Sequence, residues 1–413
     1  MRNTFVIVTS NFYTESFLRS ECQYYKTDDK ILIFNIEDYD KNDKKLKCEK
    51  IDNIFVYSGC FHKVSKLKML GISLMNRHYW SEMFNLICKR EFNIARAREA
   101  ASVMAHGKEF AKKIKDLLAK ESVNAGETVF YSYWFSVHTA IVLELKKWFP
   151  EGVYISRCHG MDVYEVQTKN NYEPFREYFV KNIDCLYAIS EDGKRHIEKQ
   201  IGRQAINIHV AHLGSINCLP DKSTYRKEEN KLRVATCSRI DRNKRLDRVI
   251  SILSLIRDID IEWDHYGDGS LEIKTELEQM CNNMLGENVK VRFRGHISNE
   301  DIIAQYQKEK YDVFMNVSES EGIPVSIMEA LSEGIPVVAL DIGGMREIVK
   351  DGINGFLLHG SCDLSEAVKA LRRIAEMGQQ EYGELRSRAK EFWYTNFNAD
   401  NNYSKYINEI RSL

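Results

Sequence analysis

Closely paired cysteines are absent from this sequence. The 413 residues include ten cysteines, but no C-x-x-C pair and no tight Cys/His set. That spacing argues against a disulfide framework or a zinc site and for free thiols in a reducing compartment. Net charge is nearly absent as well. The 59 basic and 60 acidic side chains leave −1, so no global field points to nucleic acid. Long apolar runs are missing too. The first, in "MRNTFVIVTSNFYTES", ends after about five or six residues, too few for a secretory leader, and no stretch reaches the ~18 apolar residues of a spanning helix. These absences predict a soluble, cytoplasmic protein and leave attachment to a membrane surface open. Neither a repeat with a period of roughly 20–50 residues nor a low-complexity segment stands out.

What the sequence does contain is alternation. Short β-branched or aromatic runs ("TFVIVTS", "KILIFNI", "NIFVYSG", "TVFYSYW", "GVYISRCHG", "CLYAIS", "INIHVAHLG", then "LRVATCS", "IEWDHYG", "VKVRFRG", "DVFMNVS", "PVVAL", "NGFLL") are separated by longer helical patterns. Near-continuous apolar strands with helices between them predict α/β architecture, with parallel sheets covered on both faces. A chain of this length with 44% apolar residues is long enough for two such domains. The polar, charged stretch "SINCLPDKSTYRKEEN" is the natural linker. It gives a first domain at 1–215, a linker at 216–230 and a second domain at 231–394. The final "FWYTNFNADNNYSKYINEIRSL" reads as a helix pair. Two doubly wound domains imply a cleft between them, with ligands outside the carboxyl ends of strands.

The loops at those ends carry the chemistry. In "SESEGIPVSIMEALSEGIPVV", a loop with Glu321, Gly322 and Ile323 leads from a buried strand into a helix, with Pro324 suited to its first position. The first-turn amides, those of Val325, Ser326 and Ile327, are unpaired donors that suit an anion. Glu321 in the loop and Glu329 one turn into the helix can accept hydrogen bonds from ligand hydroxyls. The competing reading makes Glu321 a dipole partner and Glu329 a solvated residue. In "CSRIDRNKRLDRV", Arg239 and Lys244 lie five apart across a turn. They suit a diphosphate, one by bidentate contact and one as a point charge; a solvated basic loop is the alternative. "YGDGSLEIKTELE" contains Gly267, Gly269 and the cap Ser270 but no G-x-G-x-x-G, so its glycines are read as structural. In "FRGHISNEDI", Ser298 and Asp301 suggest a capping box, and backbone near Gly295 and His296 can meet a base edge.

In the first half the best loop is "SRCHGMDVYE", where His159 follows a strand and precedes Gly160, with Asp162 and Tyr164 next. A structural and a functional histidine are equally compatible with that spacing. "AISEDGKRHI" is another strand-to-helix turn, capped by Ser190. The D-x-D at Asp258–Asp260 precedes a strand instead of following one, which argues against a metal there, and "DHYGDG" lacks calcium-loop spacing. Residues 61–120 hold 13 Lys/Arg against 5 Asp/Glu in helical spacing with aromatics. That pattern fits either a solvated face or an anionic membrane surface.

The second half resembles the retaining glycosyltransferases of family 4, which have the GT-B fold. The resemblance rests on "TCSRIDRNKRLDRVI", "YGDGSL", "VRFRGHIS" and, most specifically, the forty-odd residues "SESEGIPVSIMEALSEGIPVVALDIGGMREIVKDGINGFLL". These contain a Glu-x7-Glu pair, Glu321 and Glu329, followed by G-x-P-V-V and G-G-x-x-E-I-V elements. In the first half, "YSYWFSVHTA", "ISRCHGMDVYE" and "YAISEDGKRHIEKQIG" are similar to the acceptor domain of members from bacterial surface-polysaccharide pathways. "SNFYTESFLRSE" resembles their N-terminal loop without its glycine pair, and Ser238 stands where many relatives carry glycine. The resemblance implies that Glu321 binds hydroxyls of a donor sugar and Glu329 those of a ribose. It gives Arg239 and Lys244 the diphosphate, His159 the sugar near the bond being broken, and the backbone around His296 the base. It also implies that the terminal helix, 395–413, returns to the first domain.

The expectation is therefore a retaining transferase that moves a hexose from a nucleotide donor, UDP favoured, to a saccharide acceptor, often lipid-linked in such pathways. No cofactor or metal is required, because the cations and the helix start stabilise the leaving diphosphate. Basic segment 61–120 would meet the membrane that holds such acceptors. Two other functions fit the same architecture: a sugar-nucleotide epimerase, for which no carboxylate pair in the first domain stands out, and a non-catalytic nucleotide-sugar-binding partner subunit.

Overall fold

The computed structural model describes residues 2–37, 46–59, 61–202, 207–217, 225, 227–360 and 363–413. Most of the linker expected at 216–230 lies outside them. The chain forms two compact units, Met1–Ala211 with Tyr403–Leu413, and His212–Asn402. No helix among the described residues is long and apolar enough to cross a membrane.

Among its described residues the first unit has eight strands: β1 (Thr4–Thr9), β2 (Lys30–Asn35), β3 (Lys47–Ile51), β4 (Ile54–Ser58), β5 (Thr128–Ser132), β6 (Val153–Cys158), β7 (Cys185–Ala188) and β8 (Ile208–Val210). Their order is β3-β4-β2-β1-β5-β6-β7-β8. All pairings are parallel except β3 with β4. The central strands are buried on both faces, which is why they read as unbroken apolar runs. Along β1, Val6 and Val8 join one core while Phe5 and Ile7 join another, as a period of two requires. The second of these cores includes Tyr406, Ile407 and Ile410 of the last helix, Ala399–Ser412. β3 was not foreseen: "KCEKI" is exposed throughout, an antiparallel edge strand with no apolar signature.

The second unit contains β9 (Lys231–Cys237), β10 (Asp260–Tyr266), β11 (Val289–Gly295), β12 (Val313–Asn316), β13 (Val337–Leu340) and β14 (Gly355–Leu358). They form a fully parallel sheet in the order β11-β10-β9-β12-β13-β14. Its core holds the fully buried Trp263, whose indole donates to Thr236 Oγ1 at 2.9 Å. β11 alternates between half-buried and exposed residues because it is the edge strand. Arg292 and Arg294, from its outer face, pair with the buried Asp264.

In both sheets the strand order reverses beside the first strand, between β1 and β5 and between β9 and β12. At such a switch point the loops leaving neighbouring strands run to opposite faces and open a crevice at the carboxyl edge.

Candidate functional site

In the second unit the loops after β9 and β12 flank the switch point. The loop after β9 makes a short 3-10 turn, Arg242–Lys244, capped by Asp241, which accepts from Lys244 N at 3.2 Å. That turn points Lys244 Nζ at Glu321 Oε1, 2.7 Å away. Glu321 is buried, and Asn316 Nδ2 lies 3.4 Å from the same oxygen. Two backbone links fix the loops to each other: Glu319 N to Asn243 O at 2.8 Å, and Asn243 Nδ2 to Ser320 O at 3.0 Å. The structure thus joins Lys244 and Glu321, which the sequence reading had assigned to separate ligand groups. Arg239 is exposed, and its guanidinium has no ion pair or hydrogen-bond partner among the described residues, so it is available to an anion.

The helix after that loop spans Val325–Ser332. Pro324 is its cap residue rather than its first helical residue, a shift of one position that follows from its extended ψ of 127°. Ile327 N donates to Pro324 O at 3.2 Å. The amides of Val325 and Ser326 have no acceptor among the described residues, leaving two first-turn donors for a ligand. Glu329 is buried inside this helix and, among the described residues, accepts one hydrogen bond, from Asn299 Nδ2 at 2.8 Å. Burial raises its carboxyl to about 7, against the lowering effect of Asn299. A solvated Glu329 is therefore excluded. Gly322 and Ile323 are buried under the next loop: a Cβ on Gly344 would lie 2.6 Å from Gly322 O.

Glycines let three neighbouring loops interlock. Gly267 has φ +129°, and a Cβ there would meet Ser238 O at 1.9 Å. Its amide donates to Gly295 O at 2.8 Å, and Ile240 exchanges bonds with Asp268 and Ser270. The glycines of "YGDGSL" are thus structural: they seat the Arg239 loop. Ser270 and Ser298 accept from Ile273 N and Asp301 N as helix caps. His296 is exposed at the end of β11. Asp258, in the D-x-D, pairs with Arg372.

The first unit places a different set at its own switch point. His159 follows β6 and is buried against the rings of Tyr133 and Trp134, at centroid distances of 4.8 and 4.6 Å. Neither ring nitrogen has a hydrogen-bond partner among the described residues. Burial and, secondarily, Arg157 hold its pKa well below the usual imidazole value, so it is neutral with one donor and one acceptor unused. Asp162 fixes the backbone here by accepting from His159 N at 2.5 Å and Phe135 N at 2.6 Å; burial nevertheless raises it to about 7. The sequence reading missed the neighbours. Glu15, in the loop after β1, accepts from Trp134 Nε1 at 2.7 Å and from the Thr9 hydroxyl, and burial raises its carboxyl. His138 lies between Ser10 and Ser136, and burial lowers it to about 3. Only the position of each after an apolar strand signalled it.

These features define a class: two parallel-sheet α/β units of the GT-B type, with a cationic, amide-rich crevice in the second. Comparison with known proteins makes this specific. Residues 220–392, within the second unit, match the family described as "Glycosyl transferases group 1". It is 25% identical over 200 residues to the GtfA subunit of UDP-N-acetylglucosamine–peptide N-acetylglucosaminyltransferase from Streptococcus pneumoniae, which covers 47% of this chain and 38% of that protein. The chain thus spans less than two fifths of the length of that relative. Two solved structures share the fold over nearly the whole chain. The lipopolysaccharide outer core galactosyltransferase WaaB aligns at TM-score 0.67 and 17% identity, covering 99% of both chains. Anabaena Alr3699/HepE with UDP and glucose aligns at 0.65 and 17%, covering 100% of both.

Proposed function

We propose that the protein is a retaining hexosyltransferase of family 4. It moves a hexose from a nucleotide donor, UDP-hexose by preference, to a hydroxyl of a saccharide acceptor carried on a lipid, in cell-surface polysaccharide synthesis on the cytoplasmic side of a membrane. The observation that carries this reading is the crevice beside β9 and β12. There a lysine, an unpaired arginine and two free helix-start amides stand next to two buried carboxylates.

Breaking the bond between the anomeric carbon and phosphate puts negative charge on the leaving diphosphate and oxocarbenium character on the sugar. Arg239, Lys244 and the amides of Val325 and Ser326 stabilise the diphosphate by fixed, preorganised charge, without a metal; each such donor is worth about 10²–10³ in rate. Glu321 accepts from hydroxyls of the donor sugar and Glu329 from those of the ribose, while backbone near His296 frames the base. His159, neutral and unpaired, hydrogen-bonds the reacting sugar. The acceptor hydroxyl attacks on the face the diphosphate leaves, and a phosphate oxygen takes its proton.

The test is a thermal-shift screen of nucleotide sugars, followed by product analysis with the best ligand. A ligand that binds only the folded state stabilises it by RT ln(1 + [L]/Kd), about 2.7 kcal/mol at a hundredfold excess over Kd. One UDP-sugar is expected to stand out and to be consumed with retention at the anomeric carbon when a saccharide acceptor is added. An epimerised nucleotide sugar formed from donor alone overturns the reading.

A further inference from the structure

The basic segment 61–120 divides sharply in the structure. Its long helix, Ile94–Lys120, buries ten residues against the first unit's core. The two helices before it do not: Lys66–Leu74 buries only Ser73, and Arg77–Cys88 only Met83 and Leu86. What these helices leave outside is apolar. Leu67, Leu70 and Leu74 are exposed at spacings of three and four, so they share one helix face, and Trp80, Phe84 and Ile87 do the same on the next helix. Met75, in the turn between the helices, is 90% exposed and Leu67 83%. Nine of the nineteen large apolar side chains that the described residues expose fall between Leu67 and Ile94. So dense a patch marks an interaction surface, whereas scattered single residues need no explanation.

Charge identifies the partner. Between residues 63 and 94 stand six Lys/Arg and two Asp/Glu. Both acids are engaged: Glu82 accepts from Tyr172 at 2.6 Å, and Glu91 pairs with Arg96 at 2.7 Å. Lys66, Lys89 and Arg90 are exposed and have no ion pair among the described residues. The Trp80 indole donates to Leu74 O at 2.9 Å. That bond ties the two stripes together and leaves no indole N–H to be desolvated. Apolar stripes flanked by cations, with aromatics among them, fit the boundary between headgroups and acyl chains of an anionic bilayer.

We infer that the helices Lys66–Leu74 and Arg77–Cys88 form a membrane-docking face. Leu67, Leu70, Leu74, Met75, Trp80 and Phe84 enter the acyl boundary, while Lys66, Lys89 and Arg90 meet anionic headgroups. This deepens the proposed membrane-side location but needs none of the transfer chemistry, so vesicle binding and turnover can fail separately.

The test is co-sedimentation of the full chain with phosphatidylcholine vesicles, with and without phosphatidylglycerol. Trp80 emission serves as a second readout, taken as the difference from Trp80→Phe. Binding is expected to require phosphatidylglycerol and to weaken in salt without vanishing, and the Trp80 emission to shift to the blue. The variant Leu70→Ser/Leu74→Ser/Phe84→Ser is expected to lose binding at every salt concentration while keeping its melting temperature and its thermal shift with nucleotide sugar. Lys66→Gln/Lys89→Gln/Arg90→Gln is expected to lose about fivefold per charge removed, on anionic vesicles only. The proposal is overturned if the wild type ignores anionic vesicles in dilute buffer or the serine variant binds them as the wild type does. It is also overturned if sedimentation shows a dimer that the serine variant abolishes, since the face then serves a second copy.

Discussion

The two units place chemistry at the same topological point with opposite electrostatics. Beside β9 and β12 the side chains are charged and face one another: Lys244 is bonded to Glu321, Arg239 lies open, and bare amides start a helix. Beside β1 and β5 the groups are neutral or pressed towards neutrality. His159 is sealed against two aromatic rings, His138 is lowered to about 3, and Glu15 is raised by burial. In the proposed transfer, a leaving diphosphate would draw on fixed positive charge of the kind the second unit carries, and a sugar hydroxyl on buried hydrogen-bonding groups that stay neutral, of the kind the first unit carries.

The largest effect that can break this comparison is expected at Glu321. Glu321→Gln keeps the shape and removes the charge that Lys244 is bonded to, so it disturbs sugar and diphosphate contacts together. Transfer, as kcat/KM, is expected to fall about 10²–10³-fold. Lys244→Met is expected to fall comparably, and the double variant no further than the worse single, because the residues act as one unit. Additive losses in that cycle would mean that Lys244 and Glu321 serve separate ligand groups, as the sequence alone had suggested.

A smaller effect is expected at His159. Removing the ring by His159→Ala leaves one polar contact unmade, equivalent to about 10–100-fold in kcat/KM. The sharper observable is pH. The folded pKa of His159 lies well below 6.5, so below 6.5 the unfolded chain takes up a proton that the folded chain refuses. Stability from this residue is thus complete above about 6.5 and is lost as pH falls towards the folded value. The imidazole nitrogens should show no titration by NMR across pH 6–8. An imidazole that titrates near 6.5 would make His159 a charged group and remove the contrast between the units.

How much of this was legible in the sequence follows the same division. The charged residues of the second unit stood in loops after apolar strands, where residue type and position agree, and Glu321, Lys244 and Arg239 could be named from that alone. Their pairing could not, because it depends on β9 and β12 being neighbours although about 75 residues separate them. In the first unit the Glu15–Trp134 bond spans 119 positions, and no local pattern announces it. Asn299 was hidden as one polar residue beside a helix cap, and β3 by the absence of any apolar face. The glycines of "YGDGSL" were read as structural from what was missing around them, and the 1.9 Å approach at Gly267 gives the physical reason.

The smallest effect sharpens the comparison within the second unit itself, since Glu329 is the one site carboxylate there that behaves like the first unit's groups. Its folded pKa is about 7 against 4.5 in the open chain. Between those values the folded protein holds a proton that the unfolded chain has lost, so this residue's contribution to stability declines as pH rises through the window. A ligand whose hydroxyls donate to Glu329 reverses the preference, because it binds the ionised form and expels the proton. UDP affinity is therefore expected to climb severalfold from pH 6 to 8 and then level. Calorimetry in buffers of different ionisation enthalpy should register proton release at pH 6 that is gone by pH 8. Glu329→Gln should bind UDP more weakly and with a flat profile. Asn299→Ala, which removes the only hydrogen bond that the carboxylate accepts among the described residues, should push the midpoint of the climb to higher pH. An unchanged profile in Glu329→Gln would assign the climb to the nucleotide's own phosphates and leave Glu329 a buried acid that holds the helix without touching the ligand.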